Sequence, residues 1–373
     1  MSNFKCVNKL LILGLITAAS QGCQSGWANE SGNSCEIPNN GVVSGIVKLK
    51  AGCIYNQSII INDSNVKVDC NGAVLDGQGE RKYGVLIDSK GRPLSNVTVA
   101  NCKVRNFAAQ GVLVTSGVPD AKRSTDRDFN YSVSPTKVTL SNLVVERAGG
   151  VGVFLHSYVT NVTLKDSIVS GSKGAGIYLE HSSRDNKLIG NVIKNNGAWN
   201  GPKTGQREGL AIDSSARNLI EGNKFSGNSA GGIFLYKNCG EKFSQGRSVI
   251  RWQSSNDNII KNNKFYDEKV GIWIASRQSR NQQKSDCGDP ALDSEKKYFA
   301  DYANHNTIQG NEFCRNKLPI KVEGDDNIIT GNRSDIRSSK WVSQPETMKA
   351  RLTGIKSSGN KIEDNSFEAC DEE

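Results

Sequence analysis

Six side chains able to carry acid–base chemistry lie at the end of short glycine-led segments of this chain or directly after it. The segments read like Gly176–Glu180 (GIYLE), and the polar residue is the fifth or the sixth. The six residues are His156, Glu180, His181, Asp213, Tyr236 and Lys237. Histidine or lysine can accept a proton, tyrosine can donate one, and carboxylates can orient a charged histidine or bind Ca²⁺. This set predicts an enzyme that moves protons on its substrate.

Two further groups of side chains accompany this row. The third residue of the segments is aromatic four times, at Phe154, Tyr178, Phe234 and Trp273. An exposed aromatic column is a platform on which sugar rings stack, although aromatic cover beneath a loop or at a dimer contact has the same pattern. Arg207 and Arg277 stand beside the row, and either could neutralise a substrate carboxylate, as could Lys237. We expect both groups to bind substrate.

Strands must position these side chains. The second and fourth residues of the segments are always Val, Ile or Leu, whereas the third and fifth vary. Period-two alternation predicts a strand with one buried and one exposed face. The segments begin at Gly84, Gly111, Gly152, Gly176, Gly209, Gly232, Gly271 and Pro319.

A second repeat sets the spacing of these strands. The phrase Asn, any residue, Leu or Ile, two residues, Asn begins at Asn186, Asn218, Asn258, Asn306, Asn327 and Asn360. Self-similarity at intervals of this size is typical of a solenoid, in which equivalent positions stack into columns. The shortest units leave no room for a helical crossover between parallel strands, so we expect coils of two or three short strands. Stacked Asn side chains can bond neighbouring coils, and we interpret the phrase as structural.

Together, the repeats resemble the right-handed parallel β-helix proteins, a group that contains pectate lyases, polygalacturonases and alginate C5-epimerases. The resemblance covers roughly residues 45–370 and implies an all-β solenoid of about ten coils. It also implies a carbohydrate substrate. The NTD, DD, GHG and RIK motifs of polygalacturonases and the DPHD motif of alginate epimerases are missing. No catalytic residue is therefore carried over from those families.

Long insertions are predicted to surround the row. Residues 117–136 follow a strand on one side, 238–257 and 277–305 follow strands on the other, and 195–208 precede the Asp213 strand. Function concentrates on loops over a rigid scaffold. We expect these loops, flanking one sheet face, to wall an open groove above the row.

Three functions fit this arrangement. A polysaccharide lyase or C5-epimerase needs a cation for the uronate carboxylate, a base for the proton alpha to it, and an acid. His156, His181 or Lys237 could be the base and Tyr236 the acid. A glycoside hydrolase could instead use Glu180 and Asp213, expected one coil and ~5 Å apart. A non-catalytic carbohydrate-binding or periplasmic scaffold protein would need only the aromatic column. We favour the lyase.

The start of the chain predicts export. Residues 1–28 read as a signal peptide, because a positively charged start precedes an apolar run too short to span a membrane. The segment before Cys23 resembles a lipoprotein site, which leaves a lipid anchor open. Residues 29–373 are expected to form one domain, in which 29–44 cap the first coil and 45–370 form the coils. No later run is long enough for a transmembrane segment, so we expect a periplasmic or extracellular protein.

Cysteine usage and net charge agree with export. Eight cysteines remain after Cys6 and Cys23 are set aside, and an even number in an exported chain predicts disulfides of open connectivity. The net charge of +9 favours a polyanionic partner. Composition does not choose between nucleic acid and acidic polysaccharide, but export favours polysaccharide. The oligomeric state stays open.

Overall fold

Short parallel strands stacked in three sheets make up the fold. The computed structural model describes residues 35–198, 205–337 and 341–370. Within these ranges the sheets contain eleven, eleven and ten strands, and the strand order in each sheet follows the chain. Each full coil gives one strand to every sheet, which confirms the predicted parallel β-helix. The predicted signal peptide, Cys23 and the first part of the predicted cap lie outside the described residues.

The strand bounds are as follows. The first sheet, which begins after the repeated Asn, contains Ile46–Lys48, Lys67–Asp69, Ser95–Ala100, Thr136–Ser141, Thr160–Lys165, Lys187–Ile189, Leu219–Glu221, Ile259–Lys261, Thr307–Gln309, Ile328–Thr330 and Lys361–Glu363. The second sheet contains Ile54–Tyr55, Val74–Asp76, Lys103–Arg105, Val144–Glu146, Ile168–Ser170, Val192–Lys194, Lys224–Ser226, Lys264–Tyr266, Glu312–Cys314, Arg333–Ser334 and Ser366–Phe367. The third sheet, built from the glycine-led segments, contains Ile59–Ile61, Tyr83–Asp88, Gln110–Thr115, Val153–Leu155, Ile177–Glu180, Leu210–Asp213, Ile233–Tyr236, Val270–Ile274, Leu318–Val322 and Val342–Ser343.

Helices are short and lie outside the strands. The α-helices are Arg127–Ser132 and Met348–Thr353, and the 3-10 helices are Asn39–Gly41, Asp120–Lys122 and Gln283–Ser285. No helix in the described ranges is long and apolar enough to cross a membrane.

The register of the third sheet is the predicted one. Tyr178 pairs with Phe154 on one side, Asp213 pairs with Glu180 and with Tyr236, and Trp273 pairs with Phe234. The inward residues of the strands form one continuous core along the solenoid. The rings of Phe265 and its neighbours Phe225 and Phe313 stack inside it at centroid distances of 5.0 and 4.8 Å.

Ladders of asparagine side chains hold the coils in this register. The backbone N–H and the side-chain amide of Asn186 both donate to Asn218 Oδ1, at 3.1 and 3.0 Å. Asn218 repeats both bonds to Asn258 on the next coil. Parallel ladders start at Asn191 and Asn196. These bonds confirm the structural role predicted for the repeated asparagine.

A left-handed turn recurs inside the Asn phrase. Its fifth residue has φ between 54° and 65° in all six copies. Only Gly, Asn or Asp occupies it, which are the residues that adopt this conformation at least cost. The six are Gly190, Gly222, Asn262, Gly310, Gly331 and Asp364. The turn chemistry of the phrase thus fixes the corner between the first and second sheets.

Four disulfides use all eight described cysteines. Cys35 bonds Cys53 and Cys70 bonds Cys102 near the first coils. Cys239 bonds Cys287 across two insertions, and Cys314 bonds Cys370 at the last coils. The pairing that the sequence left open is thereby resolved, and it is typical of a chain that folds in an oxidising compartment.

One ladder contains a carboxylate in place of asparagine. Glu268 Oε1 accepts from the Asn228 side-chain amide at 2.7 Å, and the Glu268 N–H donates to Asn316 Oδ1 at 2.9 Å. Its other carboxyl oxygen has no hydrogen-bond partner among the described residues. Burial raises the pKa of Glu268 to about 7, against the opposing effect of the Asn228 bonds.

Replacing Glu268 by Asn should increase the free energy of unfolding, and more at pH 8 than at pH 5. The folded-state pKa of about 7 exceeds the ordinary value of 4.5, so the folded protein holds a proton that the unfolded chain releases. Stability is therefore lost as the pH rises from 4.5 through 7. We expect a gain on the order of 1–3 kcal/mol at pH 8 by urea denaturation. Glu363→Asn, on the exposed last strand of the first sheet, is the control, and an equal gain at both pH values would contradict this account.

Candidate active site

The insertions cover the row of polar residues. Asp213 is 0% exposed and Tyr236 is 2% exposed, although both lie on the outer face of the third sheet. Ser255 Oγ donates to the Tyr236 carbonyl at 2.7 Å, and Gln253 Nε2 donates to the Ser214 carbonyl at 2.9 Å. The loop 238–257 therefore forms a roof over the row. The prediction of an open groove above the row is wrong, because polar side chains of this loop bond directly to the strand ends.

A second insertion is fastened to this roof. The Cys239–Cys287 disulfide joins 238–257 to 277–305. Asp301 accepts backbone N–H bonds from Lys237 at 2.6 Å and from Arg277 at 2.8 Å. Lys237 Nζ forms a buried ion pair with Asp289. Because this ion pair fixes its side chain inside the roof, the structure does not bring Lys237 to a cavity as base or carboxylate ligand.

In the described part of the chain, two cavities lie beside the covered row. One, of about 440 Å³, lies at the Tyr236 end and is called the cationic cavity here. Its lining includes four cations, three aromatic residues and one acid: Arg207, Arg277, Arg280, Lys321, Phe234, Tyr236, Trp273 and Glu208. The other, of about 350 Å³, lies at the His156 end and is called the histidine cavity.

A chain of hydroxyl groups leads from the cationic cavity to a buried carboxylate. Tyr236 OH donates to Tyr178 OH at 3.2 Å, and Tyr178 OH donates to Asp213 Oδ2 at 2.7 Å. Asp213 also accepts from Ser214 Oγ at 2.9 Å and from Asn238 Nδ2 at 3.2 Å. Burial raises the pKa of Tyr236, and the charge of Glu208 adds to that effect. Tyr236 is thus a protonated phenol at neutral pH.

The cations of this cavity differ in how far they are already paired. The Arg277 guanidinium lies 4.1 Å from the centre of the Tyr236 ring, and its Nη1 is 2.5 Å from Glu241 Oε1. Lys321 Nζ lies 3.3 Å from Glu323 Oε1. Among the described residues, no carboxylate lies within ion-pair distance of Arg280. The same holds for Arg207 within the described ranges, so Arg280 and Arg207 are the cations most available to a bound anion.

Among the described residues that line the cationic cavity, Glu208 is the one acid. It is 3% exposed, and its Oε1 has no hydrogen-bond partner among the described residues. Burial raises the pKa of Glu208, while the charges of Arg207 and Arg277 oppose the rise. A buried carboxyl with a raised pKa beside a cavity is suited to general acid–base work.

His156 joins a hydroxyl to a carboxylate at the histidine cavity. Its Nδ1 lies 3.1 Å from Thr115 Oγ1, and its Nε2 lies 3.2 Å from Glu180 Oε2. Burial lowers the pKa of His156 to about 4, although the Asp120 charge opposes this. Burial raises the pKa of Glu180 to about 8, against the charge of Arg251. His156 and Phe154 line this cavity, at the far end of the row from Tyr236.

His181 belongs to a buried ionic cluster. It is 1% exposed, and its Nδ1 lies 3.1 Å from Asp120 Oδ2. Arg251 Nη1 also reaches that oxygen, at 2.8 Å. Burial raises the pKa of Asp120, but the hydrogen bond from His181 and the charges of His181 and Arg251 outweigh it and hold this pKa below its usual range. Asp120 and Arg251 both come from insertions, so the cluster ties two loops to the sheet.

The structure therefore divides the predicted site residues. It brings Tyr236, Phe234, Trp273, Arg207 and Arg277 together at the cationic cavity. It places His156 and Phe154 at the histidine cavity. The remaining five predicted residues line neither cavity: Tyr178, Glu180, His181, Asp213 and Lys237.

The aromatic column is less open than predicted. Phe234 is buried at 9% exposure, and its ring meets Trp273 edge to face with centroids 5.2 Å apart. Phe154 and Tyr178 pack in the same way at 5.2 Å. Ala211 interrupts the column between the two pairs. Edge-to-face packing leaves two short aromatic walls, one at each cavity, and no continuous stacking platform.

Three charged residues of the cationic cavity, Glu208, Arg280 and Lys321, were missing from the predicted site. Lys321 was visible as the third residue of the last glycine-like segment, aligned with Trp273. Glu208 and Arg280 lie in insertions, outside the strands. The insertions have no repeat, so the sequence does not indicate which of their side chains contact the outer face of the sheet.

Two families of known proteins match parts of the chain. Residues 53–247 match the family described as right handed beta helix region, and residues 200–333 match the one described as periplasmic copper-binding protein (NosD).

The side chains of the described cysteines and of His156, which could bind copper, are already engaged. The described cysteines are all in disulfides. Both ring nitrogens of His156 contact protein side chains. In the described ranges, no group of three or more His, Cys, Asp or Glu side chains could hold a metal ion. These residues do not fit copper, and we derive no step through it.

Solved structures with a similar course of the chain include three carbohydrate-active enzymes. An alginate lyase from Paenibacillus sp. str. FPU-7 is 12% identical, with 87% of this chain and 89% of that chain covered and a TM-score of 0.43. The A-module of a mannuronan C-5 epimerase from Azotobacter vinelandii is 14% identical, with 88% and 83% covered and a TM-score of 0.47. A DFA-IIIase from Arthrobacter chlorophenolicus A6 is 11% identical, with 91% and 78% covered and a TM-score of 0.49.

No curated protein sequence matches the chain. The first family match spans more than half of its 373 residues. Together with the three parallel sheets, it shows that this chain belongs to the right-handed β-helix family.

Proposed function

We propose that this protein is an exported enzyme that acts on an acidic, uronate-containing polysaccharide by removing the proton alpha to the uronate carboxylate. The observation that carries the proposal is the cationic cavity. Four cations, a buried acid and a tyrosine whose hydroxyl is held by Tyr178 line one space of about 440 Å³. That volume lies within the usual range of ligand cavities.

The cations supply the first requirement of this chemistry. A proton alpha to a carboxylate becomes removable when the carboxylate charge is neutralised, because the developing enediolate is then stabilised. Guanidinium groups bind carboxylates with two parallel N–H bonds. Arg280 and Arg207 line the cavity and would bind the carboxylate in this way, while Arg277 is held between Glu241 and the Tyr236 ring.

Glu208 and Tyr236 supply the base and the acid. In the ionised form, Glu208 takes the proton from the sugar carbon beside the carboxylate. In a lyase, the electron pair of that C–H bond forms the new C=C bond, the glycosidic C–O bond breaks, and Tyr236 donates its proton to the leaving oxygen. In a C5-epimerase, Tyr236 instead returns a proton to the opposite face of the same carbon. The raised pKa of Glu208 makes its ionised form a stronger base, and the raised pKa of Tyr236 keeps its phenol protonated at neutral pH.

The hydrolase alternative has less support from the geometry. Glu180 and Asp213 are adjacent in register, but Asp213 is fully buried and accepts hydrogen bonds from Tyr178, Ser214 and Asn238. A glycosidase needs both carboxyls at the scissile bond. A non-catalytic binding protein would use the cations and the aromatic walls without needing Glu208.

Export is part of the proposal. Disulfides persist in the periplasm and outside the cell, and the four disulfides of this chain fit that setting. The NosD family, which matches residues 200–333, is described as periplasmic. A lipid anchor through Cys23 remains compatible with both observations.

Mature protein offered alginate, pectate and glycosaminoglycans should release unsaturated uronates that absorb near the ultraviolet edge. Inversion at C5 without absorbance, followed by NMR, would indicate the epimerase. Reducing ends released from a neutral glycan, with every acidic glycan unchanged, would favour the hydrolase. Binding without any turnover would leave the binding-protein reading.

Replacing Tyr236 by Phe should lower kcat by about 10²–10⁴-fold, because the proton donor is lost. The melting temperature should change little, since Asp213 keeps its bonds from Tyr178, Ser214 and Asn238. Tyr302→Phe, in an exposed loop position, is the matched control. Full activity of the Tyr236 variant would remove this residue from the mechanism.

Replacing Arg280 by Gln should weaken substrate binding more than it slows the chemical step. Arg280 has no carboxylate partner within the described ranges, so its loss leaves no unpaired buried acid. We expect KM to rise about 10-fold or more, as for a lost charge-assisted hydrogen bond, with the melting temperature unchanged. Arg315→Gln, in an exposed ion pair with Asp267, is the control. An unchanged KM would show that the carboxylate binds elsewhere.

A further inference from the structure

We propose a second catalytic site, in the histidine cavity, where Thr115, His156 and Glu180 hydrolyse the carboxylic ester of a small acyl group carried by a sugar. Thr115 Oγ1 lies 3.1 Å from His156 Nδ1, and His156 Nε2 lies 3.2 Å from Glu180 Oε2. A hydroxyl, an imidazole and a carboxyl within hydrogen-bond reach of one another are the parts of an activated nucleophile. The proton abstraction at the cationic cavity uses none of the three.

The solenoid itself builds this alignment. Thr115, His156 and Glu180 are the fifth residues of three consecutive glycine-led segments, and coils stack ~4.8 Å apart. The strands that precede Thr115 and His156 pair in register. The Gly117 N–H donates to Thr115 Oγ1 at 3.0 Å. This N–H donates to a lone pair of Thr115 Oγ1, so the hydroxyl proton of Thr115 remains free to point at His156.

The histidine cavity differs in charge from the cationic cavity. Its described lining contains no Lys or Arg, and Asp88 is its one acid. Apolar side chains of Leu113, Phe154 and Val118 share the wall with Thr115 and His156. A free carboxylate would meet no cation there, whereas an uncharged ester would meet an apolar wall for its acyl group. The volume of about 350 Å³ accommodates a sugar-sized ligand.

The reaction balances with water as the co-reactant. Thr115 Oγ attacks the ester carbonyl carbon, and its proton passes to His156 Nδ1. The C–O bond of the ester then breaks, and the sugar oxygen takes that proton from His156. Water attacks the acyl-threonine through the same base, which releases a carboxylic acid and restores Thr115.

The protonation state of Glu180 determines the pH range in which this site is active. The Glu180 carboxyl lies near the charged groups of Arg251, Asp120 and Arg123 from the insertions and of Asp213 from the next coil. His156 faces Asp120, Arg123, His181 and Arg251. Below the Glu180 pKa of about 8, the protonated carboxyl donates to Nε2, so Nδ1 carries the ring proton and cannot accept from Thr115. Above it, Nε2–H donates to the carboxylate and Nδ1 becomes the base, so activity rises with pH.

Release of acetate from acetylated alginate and of nitrophenolate from 4-nitrophenyl acetate tests the site. Wild-type protein should release both, increasingly between pH 7 and pH 9 after uncatalysed hydrolysis is subtracted. Thr115→Val, which keeps the shape of the side chain, should lower both rates at least about 100-fold. Thr139→Val on the first sheet is the matched control and should keep the wild-type rates. Wild-type rates in Thr115→Val, or no release above buffer by the wild type, would overturn the proposal.

A second measurement covers the case in which Thr115→Val does not fold. Wild-type protein quenched during turnover of 4-nitrophenyl acetate should carry an acetyl group on the peptide that contains Thr115, mapped by mass spectrometry. Acetylation of lysines alone would overturn the proposal. Both readouts are independent of uronate turnover, so failure of one site leaves the other assignment standing.

Discussion

The asparagine ladders are the constraint on which the rest of the structure depends. Each buried Oδ1 accepts two N–H groups from the preceding coil, as Asn218 does from Asn186 at 3.1 and 3.0 Å. A slip of one residue would leave those donors unpaired inside the protein and turn every inward side chain outward. The ladders therefore fix the coil register without taking part in chemistry. Columns of equivalent residues, including the row from Thr115 to Tyr236, exist because that register is fixed.

Insertions then decide which members of the row meet a ligand. Where Gln253 and Ser255 bond to strand-end carbonyls, the row is sealed, and Asp213 becomes a buried acceptor for Tyr178. At its two ends the row stays accessible. The cationic cavity gathers charges that suit a carboxylate, whereas the histidine cavity has a largely apolar wall. The solenoid thus presents equivalent positions of different coils in two chemical environments, one cationic and one largely apolar.

The sequence was sufficient for the fold and the register, because both follow from local repeats. The pairing of Glu180 with Asp213 and the structural role of the Asn phrase were predictable from the spacing alone. The roof over the row was not predictable from the sequence. The partner of Lys237 is Asp289, which lies far along the chain in an insertion without a repeat. The same holds for Asp120 and Arg251 around His181. Glu268 shows a missed signal: it stands ten residues after the first Asn of its phrase, where the neighbouring repeats have Asn228 and Asn316.

The central claim is that the cationic cavity binds a uronate carboxylate beside Glu208 and Tyr236. A crystal structure of the Tyr236→Phe protein with a bound oligouronate tests it most directly. The account predicts a carboxylate within hydrogen-bond distance of the Arg280 or Arg207 guanidinium, with the adjacent ring carbon facing Glu208. An oligouronate bound on another surface, with the cationic cavity empty, would contradict it.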